Sequence, residues 1–361
     1  MVLASERILI IVDSRTSALG IAAQSRARLD TRFKVIAALD HITPSSLIRA
    51  TRLENPSHII FSWRFLLLEF LKSKKFTQKL NQLPSKPLIG VVIADYLGRD
   101  PKFRDQEEVL LNSIDFFLVT CKELESLYSS ETYKSGYAGI LYDFPNMTIS
   151  TFLPGSEKST EISKVIWIGN SKWGQRQGYT DHKGYNSIVL PLFELLEEKY
   201  PNIERLIVDS GIKKVANSKI LELLDPATIL VQTSKSEGTG MPVLEALSKG
   251  STPVTTCVGV AKEILTKGFE FLIVEPDAYQ FYKVICKIIE SGPPDSNELQ
   301  NILRYHLDKN FEAVFPFIFE TKTPLTSIPG NHWMVISIWL TRFALNKART
   351  VGEILRINLR Y

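Results

Sequence analysis

The chain has 361 residues, 44% hydrophobic and 23% charged, which is a globular balance with apolar material for two cores. A net charge of +4 is too mild to argue for nucleic acid, so no nucleic-acid partner is expected. Cys121, Cys257 and Cys286 lie far apart with neither metal-ligand spacing nor a disulfide framework. Together with a start that lacks the apolar core of a signal peptide, they point to a reducing, cytoplasmic setting. No apolar run reaches the roughly 18 residues of a membrane span, so none is expected.

Arg7 to Val12 reads as a buried strand ended by Asp13 and Ser14, and Thr16 to Leu29 as a helix with Gly20 near its start. Phe33 to Leu39 is a second strand, Leu47 to Leu53 a short helix, and His58 to Phe61 a third strand. This alternation implies a parallel sheet covered by helices. His41 and His58 stand alone and read as structural histidines. Pro87 to Ala94 is a strongly apolar strand, and Asp95 to Asp100 follows at its C-terminal end, where open α/β sheets place ligands. Asp95 is there either as a site residue or as a helix cap. Arg99 and Arg104 either hold an anionic acceptor or are solvated loop residues. Asp115 to Leu124 reads as a strand followed by a helix.

Pro154 to Ser163 is polar and turn-rich, so the interdomain linker is placed there. The expected domains are 1–155 and 164–310, with a helical return segment over 311–361. Val165 to Gly169 opens a second sheet and is followed by a long polar loop, Ser171 to His182, carrying Lys172, Arg176, Tyr179, Asp181 and His182. Ile188 to Leu196 supplies an apolar helix, and Ile203 to Val208 a strand that runs into Asp209-Ser210-Gly211. Thr252 to Val258 and Phe271 to Val274 are further strands, Gly259 to Leu265 starts a helix, and Ala278 to Glu290 is another. Gly292 to Ser296 is a turn that opens one more helix. Trp333 to Leu345 is apolar almost all round and precedes Lys347, Arg349, Arg356 and Arg360, opposed by Glu353. Two readings fit that tail: a buried helix crossing back to the first domain, or a basic, apolar surface touching the inner leaflet of a membrane.

The stretch that organises the rest is Thr233 to Gly250. Ile229 to Val231 is a short β-branched strand ahead of it. Gly238 and Gly240 allow backbone arrangements that a Cβ would penalise. Pro242 suits a helix's first turn, Val243 to Leu247 continue as a packed helix, and Gly250 stops it. A helix tip with free amides carries partial positive charge and suits a phosphate or polar sugar. Glu237 and Glu245 flank the turn, and a carboxylate accepts the two hydroxyls of a diol well.

The run Glu-Gly-Thr-Gly-Met-Pro-Val-Leu-Glu-Ala from Glu237 to Ala246, with Gly250, Pro253 and Val254, resembles the signature of the retaining GT-B glycosyltransferases often grouped as family 4. Thr239 replaces the aromatic residue usual in that pattern. The resemblance implies an α/β, GT-B fold: two Rossmann-like domains facing each other across a cleft, with a C-terminal helix returning to the first. It implies donor contacts from Gly20, Gly211, Glu237, Gly238, Thr239, Gly240, Met241 and Glu245. Lys183-Gly184 stands where the family neutralises the donor diphosphate with a lysine. The family arginine is missing after Gly169, where Asn170 stands, and Arg176 or Lys172 is the candidate replacement. The stretch Ile212 to Ala227 is shorter than the strand and helix most members carry there. Asp95 occupies the place of a functional polar residue, commonly histidine.

The implied activity is a metal-independent, retaining transfer from a nucleotide-sugar to a glycan or lipid-linked acceptor, with Glu237, Lys183 and Asp95 as catalytic candidates and no cofactor. Envelope polysaccharide synthesis is the expected role, and contact with a membrane through 333–361 is a second expectation. Two acidic side chains and the helix tip are expected to face Lys183 across the interdomain cleft. A non-catalytic nucleotide-sugar-binding module and a GT-B sugar-nucleotide epimerase are the alternatives.

Overall fold

A computed structural model describes residues 7–15, 17–29, 32–37, 44–82, 86–128, 135–143, 161–266 and 268–320. The expected linker up to residue 160, His41 and the tail from Trp333 onward lie outside the described residues.

The first half is a six-stranded parallel sheet. Its strands are β1 (Ile8–Val12), β2 (Phe33–Ala37), β3 (His58–Phe61), β4 (Leu88–Ile93), β5 (Phe116–Val119) and β6 (Gly136–Ile140). They lie in the order β2-β1-β3-β4-β5-β6. The apolar runs are nearly continuous because both faces are buried. Leu9, Ile11, Ile59, Phe61, Val91 and Ile93 pack into one core, while Ile8, Ile10, Ile60, Val92, Phe116 and Leu118 pack into another. The crossovers carry α1 (Ala18–Leu29), α2 (Pro44–Glu54), α3 (Arg64–Leu71), α4 (Lys74–Asn81), α5 (Arg104–Leu111) and α6 (Lys122–Tyr128). Of these, α3 and α4 were not anticipated. The run Arg64-Phe-Leu-Leu-Leu-Glu-Phe-Leu71 alternates with no strand-like period, and its apolar side buries Leu67 and Phe70.

A second parallel sheet holds β7 (Lys164–Gly169), β8 (Glu204–Asp209), β9 (Thr228–Gln232) and β10 (Thr252–Thr255) in the order β10-β9-β7-β8. The expected strand at Phe271 to Val274 is instead a 3-10 turn, Glu270–Leu272, followed by a single bridge from Ile273 to Thr255. The expected helix from Ile188 begins as a π-turn at Tyr185–Val189 and becomes α7 (Leu190–Lys199). The short stretch after β8 does contain a helix, α8 (Asn217–Glu222). Then come α9 (Met241–Ser248), α10 (Ala261–Ile264), α11 (Ala278–Ser291) and α12 (Ser296–Glu320).

Helix α12 runs unbroken through residues 310 and 311, so the expected domain boundary there falls inside one helix. Its buried stripe, Leu299, Leu303 and Leu307, follows the i, i+4 spacing of one helix face. At His306 it meets the first half, where the imidazole stands edge-on to Tyr142 at 4.8 Å. The expected return segment, 311–361, begins within α12 and from residue 321 onward lies outside the described residues.

One buried charge cluster shapes the cleft side of the first sheet. Arg64 bridges Asp95 Oδ1 at 2.9 Å and Glu107 Oε2 at 3.0 Å, and Tyr128 donates to Glu107 at 2.6 Å. Arg64 and Glu107 are both buried. A buried ion pair that loses one partner leaves an uncompensated charge, at a cost of about 3–5 kcal/mol. Glu107→Ala is therefore expected to lower the melting temperature of the whole chain sharply, while Arg104→Ala, an exposed cation on the same helix, leaves it within about a degree or two. Calorimetric melts of the two variants check this.

Candidate functional site

In each sheet the strand order reverses beside one strand, and ligands of open α/β sheets bind at the carboxyl ends there. In the second sheet that point lies between β7 and β9. The loop after β7 and the loop after β9 are laced together at this place. Gly184 is left-handed, with φ +63°, and a Cβ on it would stand 2.6 Å from the Thr233 carbonyl oxygen. The Thr233 hydroxyl donates to the Lys183 carbonyl at 2.6 Å, and the Lys235 amide to the His182 carbonyl at 2.9 Å. Asp181, also at positive φ, caps the following turn by accepting from the Ser187 amide at 2.8 Å and the Asn186 amide at 3.0 Å.

This lacing brings Lys183 onto Glu237. The ammonium and the carboxylate form an ion pair, and the Ser234 hydroxyl donates to the same carboxylate oxygen. Lys183 Nζ also lies 5.4 Å over the ring of Trp173, which packs 4.2 Å from the buried imidazole of His182. Burial and the neighbouring Lys183 hold His182 below the usual imidazole range, so it is neutral near pH 7. Lys183 and Glu237 thus belong to the same domain and touch. The expectation that they face each other across the cleft is corrected, because both loops leave the same sheet edge.

Beside them, α9 starts as expected. Gly240 is its left-handed cap at φ +80°, Pro242 lies in the first turn, and Met241 and Pro242 are half-buried. Gly250, at φ +71°, closes the far end: its amide reaches the Leu247 carbonyl and the Ser251 amide the Ala246 carbonyl. That pair of bonds is a Schellman closure. Gly238 has a different reason to be glycine. A Cβ there would lie 1.9 Å from the Ala94 carbonyl oxygen of the first domain. Thr239, next to it, donates its hydroxyl to the buried Asp143 at the end of β6. The residue that departs from the family pattern therefore joins the two domains.

Glu245 is buried on α9, where Asn217 of α8 donates to its Oε1 at 2.6 Å. Burial pushes its carboxyl up to about 7, against the pull of the Asn217 amide. Gly211 lies on the loop after β8, where Asp209 accepts from its amide at 2.8 Å and from the Ser171 amide at 3.1 Å. Asp209 is an organiser that the sequence reading mentioned only as part of a turn. Arg176 is exposed on the 3-10 turn Gln175–Gln177, and no hydrogen bond or ion pair among the described residues joins it to Lys183 or Glu237.

In the first domain, Asp95 accepts from the Leu97 amide at 2.9 Å and pairs with Arg64, so it acts as a turn cap and is held rigidly. It neighbours Ala94, on which Gly238 rests, so Asp95 and Glu237 flank this contact between the two domains. Gly20 lies inside α1, and a Cβ on it would meet the Ser14 carbonyl oxygen at 1.8 Å, so the chain's own turn after β1 occupies that space. Among the described residues, the group near Lys183 comprises Glu237, Ser234, Trp173 and His182. Gly20 and Arg176 stand apart from it.

The fold is GT-B. Sucrose-phosphate synthase from Thermosynechococcus elongatus superposes with a TM-score of 0.53 at 12% identity over 86% of this chain and 100% of that one. Anabaena HepE in complex with UDP and glucose gives 0.56 at 11% identity over 88% and 99%. A glycosyltransferase from Rickettsia africae gives 0.53 at 12% over 87% and 99%. Residues 210–305 match the model of the family described as glycosyl transferases group 1. A curated relative, the O-antigen chain mannosyltransferase RfbU of Salmonella typhimurium, is 27% identical over 129 residues, which is 34% of this chain and 36% of that protein. The match thus spans about a third of the relative's length.

The raised carboxyl of Glu245 has a signed consequence. A group whose folded pKa lies above its unfolded value lends stability that is full in acid and is lost as pH rises towards the folded value. Glu245→Gln keeps an oxygen for Asn217 and removes the ionisation. The variant is expected to melt above the wild type at about pH 8, by up to roughly 3 kcal/mol, and to converge with it near pH 5. Circular-dichroism melts across that range check the sign.

Proposed function

We propose that the protein transfers a sugar from a nucleotide-sugar donor to a glycan or lipid-linked acceptor, with retention at the anomeric carbon and without a metal ion. The observation that carries this reading is the Lys183–Glu237 ion pair, locked at the β7–β9 switch point beside the N-terminus of α9. When the bond from sugar to diphosphate lengthens, negative charge grows on the departing group and positive charge on the ring. A preorganised ammonium and helix-tip amides stabilise the first, and a carboxylate stabilises the second, without reorganisation at the moment of reaction. Lys183 holds the diphosphate in this scheme, and Glu237 the sugar hydroxyls and the developing ring charge. In this scheme Asp95, paired with Arg64 in the first domain, serves the acceptor.

The similarity to an O-antigen chain mannosyltransferase supports an envelope polysaccharide as the product, and the UDP in the HepE complex supports a nucleotide diphosphate as the leaving group. Action on the cytoplasmic side, at the inner face of the membrane, follows from that role. Residues 333–361, the expected membrane contact, lie outside the described residues. No described helix is long and apolar enough to cross a membrane.

Nucleotide release from a panel of nucleotide sugars, with glycan acceptors and with a chelator present, tests the reading. The wild type is expected to release nucleotide at an unchanged rate in chelator. Glu237→Gln and Lys183→Met are each expected to lose one to two decades in rate, the worth of a charge-assisted contact of about 1.5–3 kcal/mol. Near-normal transfer by Glu237→Gln removes that residue from the chemistry. Binding without turnover identifies a binding module, and an isomerised sugar identifies an epimerase.

A further inference from the structure

The face of the second sheet that carries α8 holds a polar group the motif does not account for. Leu230 of β9 packs on that face with Ala246, Leu224 and Val208. Gln232, two residues on, points the same way by the alternation of a strand. Its side chain is 97% buried, at 3% exposure, yet neither its Nε2 nor its Oε1 has a hydrogen-bond partner. Nε2 lies 2.9 Å from where a Cβ on Gly240 would stand, directly at the cap of α9. On the same side, Asn217 spends its amide nitrogen on Glu245, and its buried Oδ1 is also left without a partner.

Buried polar atoms in folded chains are almost always paired, so the two on Gln232 at the cap of α9 and the one on Asn217 beside Glu245 mark a place that a ligand completes. The atoms left over are two acceptors and one donor, next to a carboxylate that accepts. A vicinal diol matches this set, because each hydroxyl both donates and accepts. An apolar side chain at position 232 would continue the Ile229–Val231 run and pack against Gly240 with no such need. The amide is therefore useful only to something that arrives.

The geometry points to Gln232 and Asn217 as donor-binding residues that, beside Glu245, grip the ribose hydroxyls of the donor nucleotide. This rests on the nucleotide-sugar reading above. Gln232 donates to and accepts from one hydroxyl. Asn217 accepts from the other while keeping Glu245 in place. Together they select ribonucleotides over deoxyribonucleotides whatever the base.

The test is calorimetric titration of the full chain with UDP and GDP and with their 2′-deoxy and 3′-deoxy forms, for wild type, Gln232→Leu and Asn217→Ala. Wild type is expected to bind at least one ribonucleotide and to lose about tenfold or more in affinity for a deoxy form. Gln232→Leu is expected to bind the ribonucleotide about tenfold more weakly and to lose that discrimination, while the free variant melts at or above the wild-type temperature. A residue that merely supported the fold would move the melting temperature down. Asn217 is half-exposed on a short helix, so its variant remains an informative measure if the core change disturbs folding. Unchanged affinity and discrimination in both variants overturns the inference and leaves the transferase reading standing. No binding of any nucleoside diphosphate by wild type overturns both.

Discussion

The second domain depends on how closely the chain at Gly184 can lie against the backbone of Thr233. A Cβ at that point would sit 2.6 Å from a carbonyl oxygen, and the left-handed φ of +63° is one that side-chain-bearing residues rarely adopt. Because glycine removes both obstacles, the loops after β7 and β9 exchange hydrogen bonds instead of merely passing. Lys183 and Glu237, which are 54 positions apart in the chain, then form one unit whose geometry is set before any ligand binds. Preorganisation of this kind is what makes electrostatic stabilisation effective, since the dipoles and charges need not move when charge develops.

The two domains are held together by one close glycine contact and a set of polar bonds. Gly238 lies on the Ala94 carbonyl, Thr239 bonds Asp143, and Glu263 of α10 accepts from the Lys122 amide at 2.8 Å and the Tyr142 hydroxyl at 2.6 Å. Tyr179 reaches over to Asp100 at 2.5 Å from the long loop after β7. Asp143 is raised by burial, and the nearby Arg26 and the Thr239 hydroxyl work against that rise. Arg26 itself is lowered to about 10 by its own burial, an effect Asp143 opposes. The linkage is therefore polar and buried at Thr239–Asp143, and its strength rests on each group keeping its partner.

Much of this was legible in the sequence, and the exceptions share a cause. Strands β1, β4, β5, β7 and β9 announce themselves because a parallel sheet buried on both faces demands nearly unbroken apolar runs. The tip of α9 was readable from Gly240, Pro242 and Gly250 because each answers a local backbone requirement. Helices α3, α4 and α8 were missed because their amphipathic stripes are short and are settled by tertiary packing. The reason for Gly238 was unreadable, since it lies in another domain. The same holds for Gly20, whose space is taken by its own preceding turn, and for Thr239, whose partner Asp143 is 96 residues away. A side chain's type states what it can bond to, and only the fold states what stands beside it.

That distinction separates the buried carboxylates of the two halves. Glu107 has a guanidinium and a phenol hydroxyl, so its burial is compensated and its role is complete within the fold. Glu245, equally buried, has a neutral amide and, among the described residues, no cation. Desolvation of a carboxylate without a counter-charge is costly, and the rise of its carboxyl to about 7 records that cost. A fold optimised for stability alone would place a leucine or a glutamine there. An acid on the helix capped beside the unpartnered Gln232 amide, and next to Asn217 with its unpartnered oxygen, makes physical sense where hydroxyl-rich ligands bring the missing donors. The first domain thus uses buried charge to hold a loop rigid, and the second leaves buried polarity incomplete for something that binds.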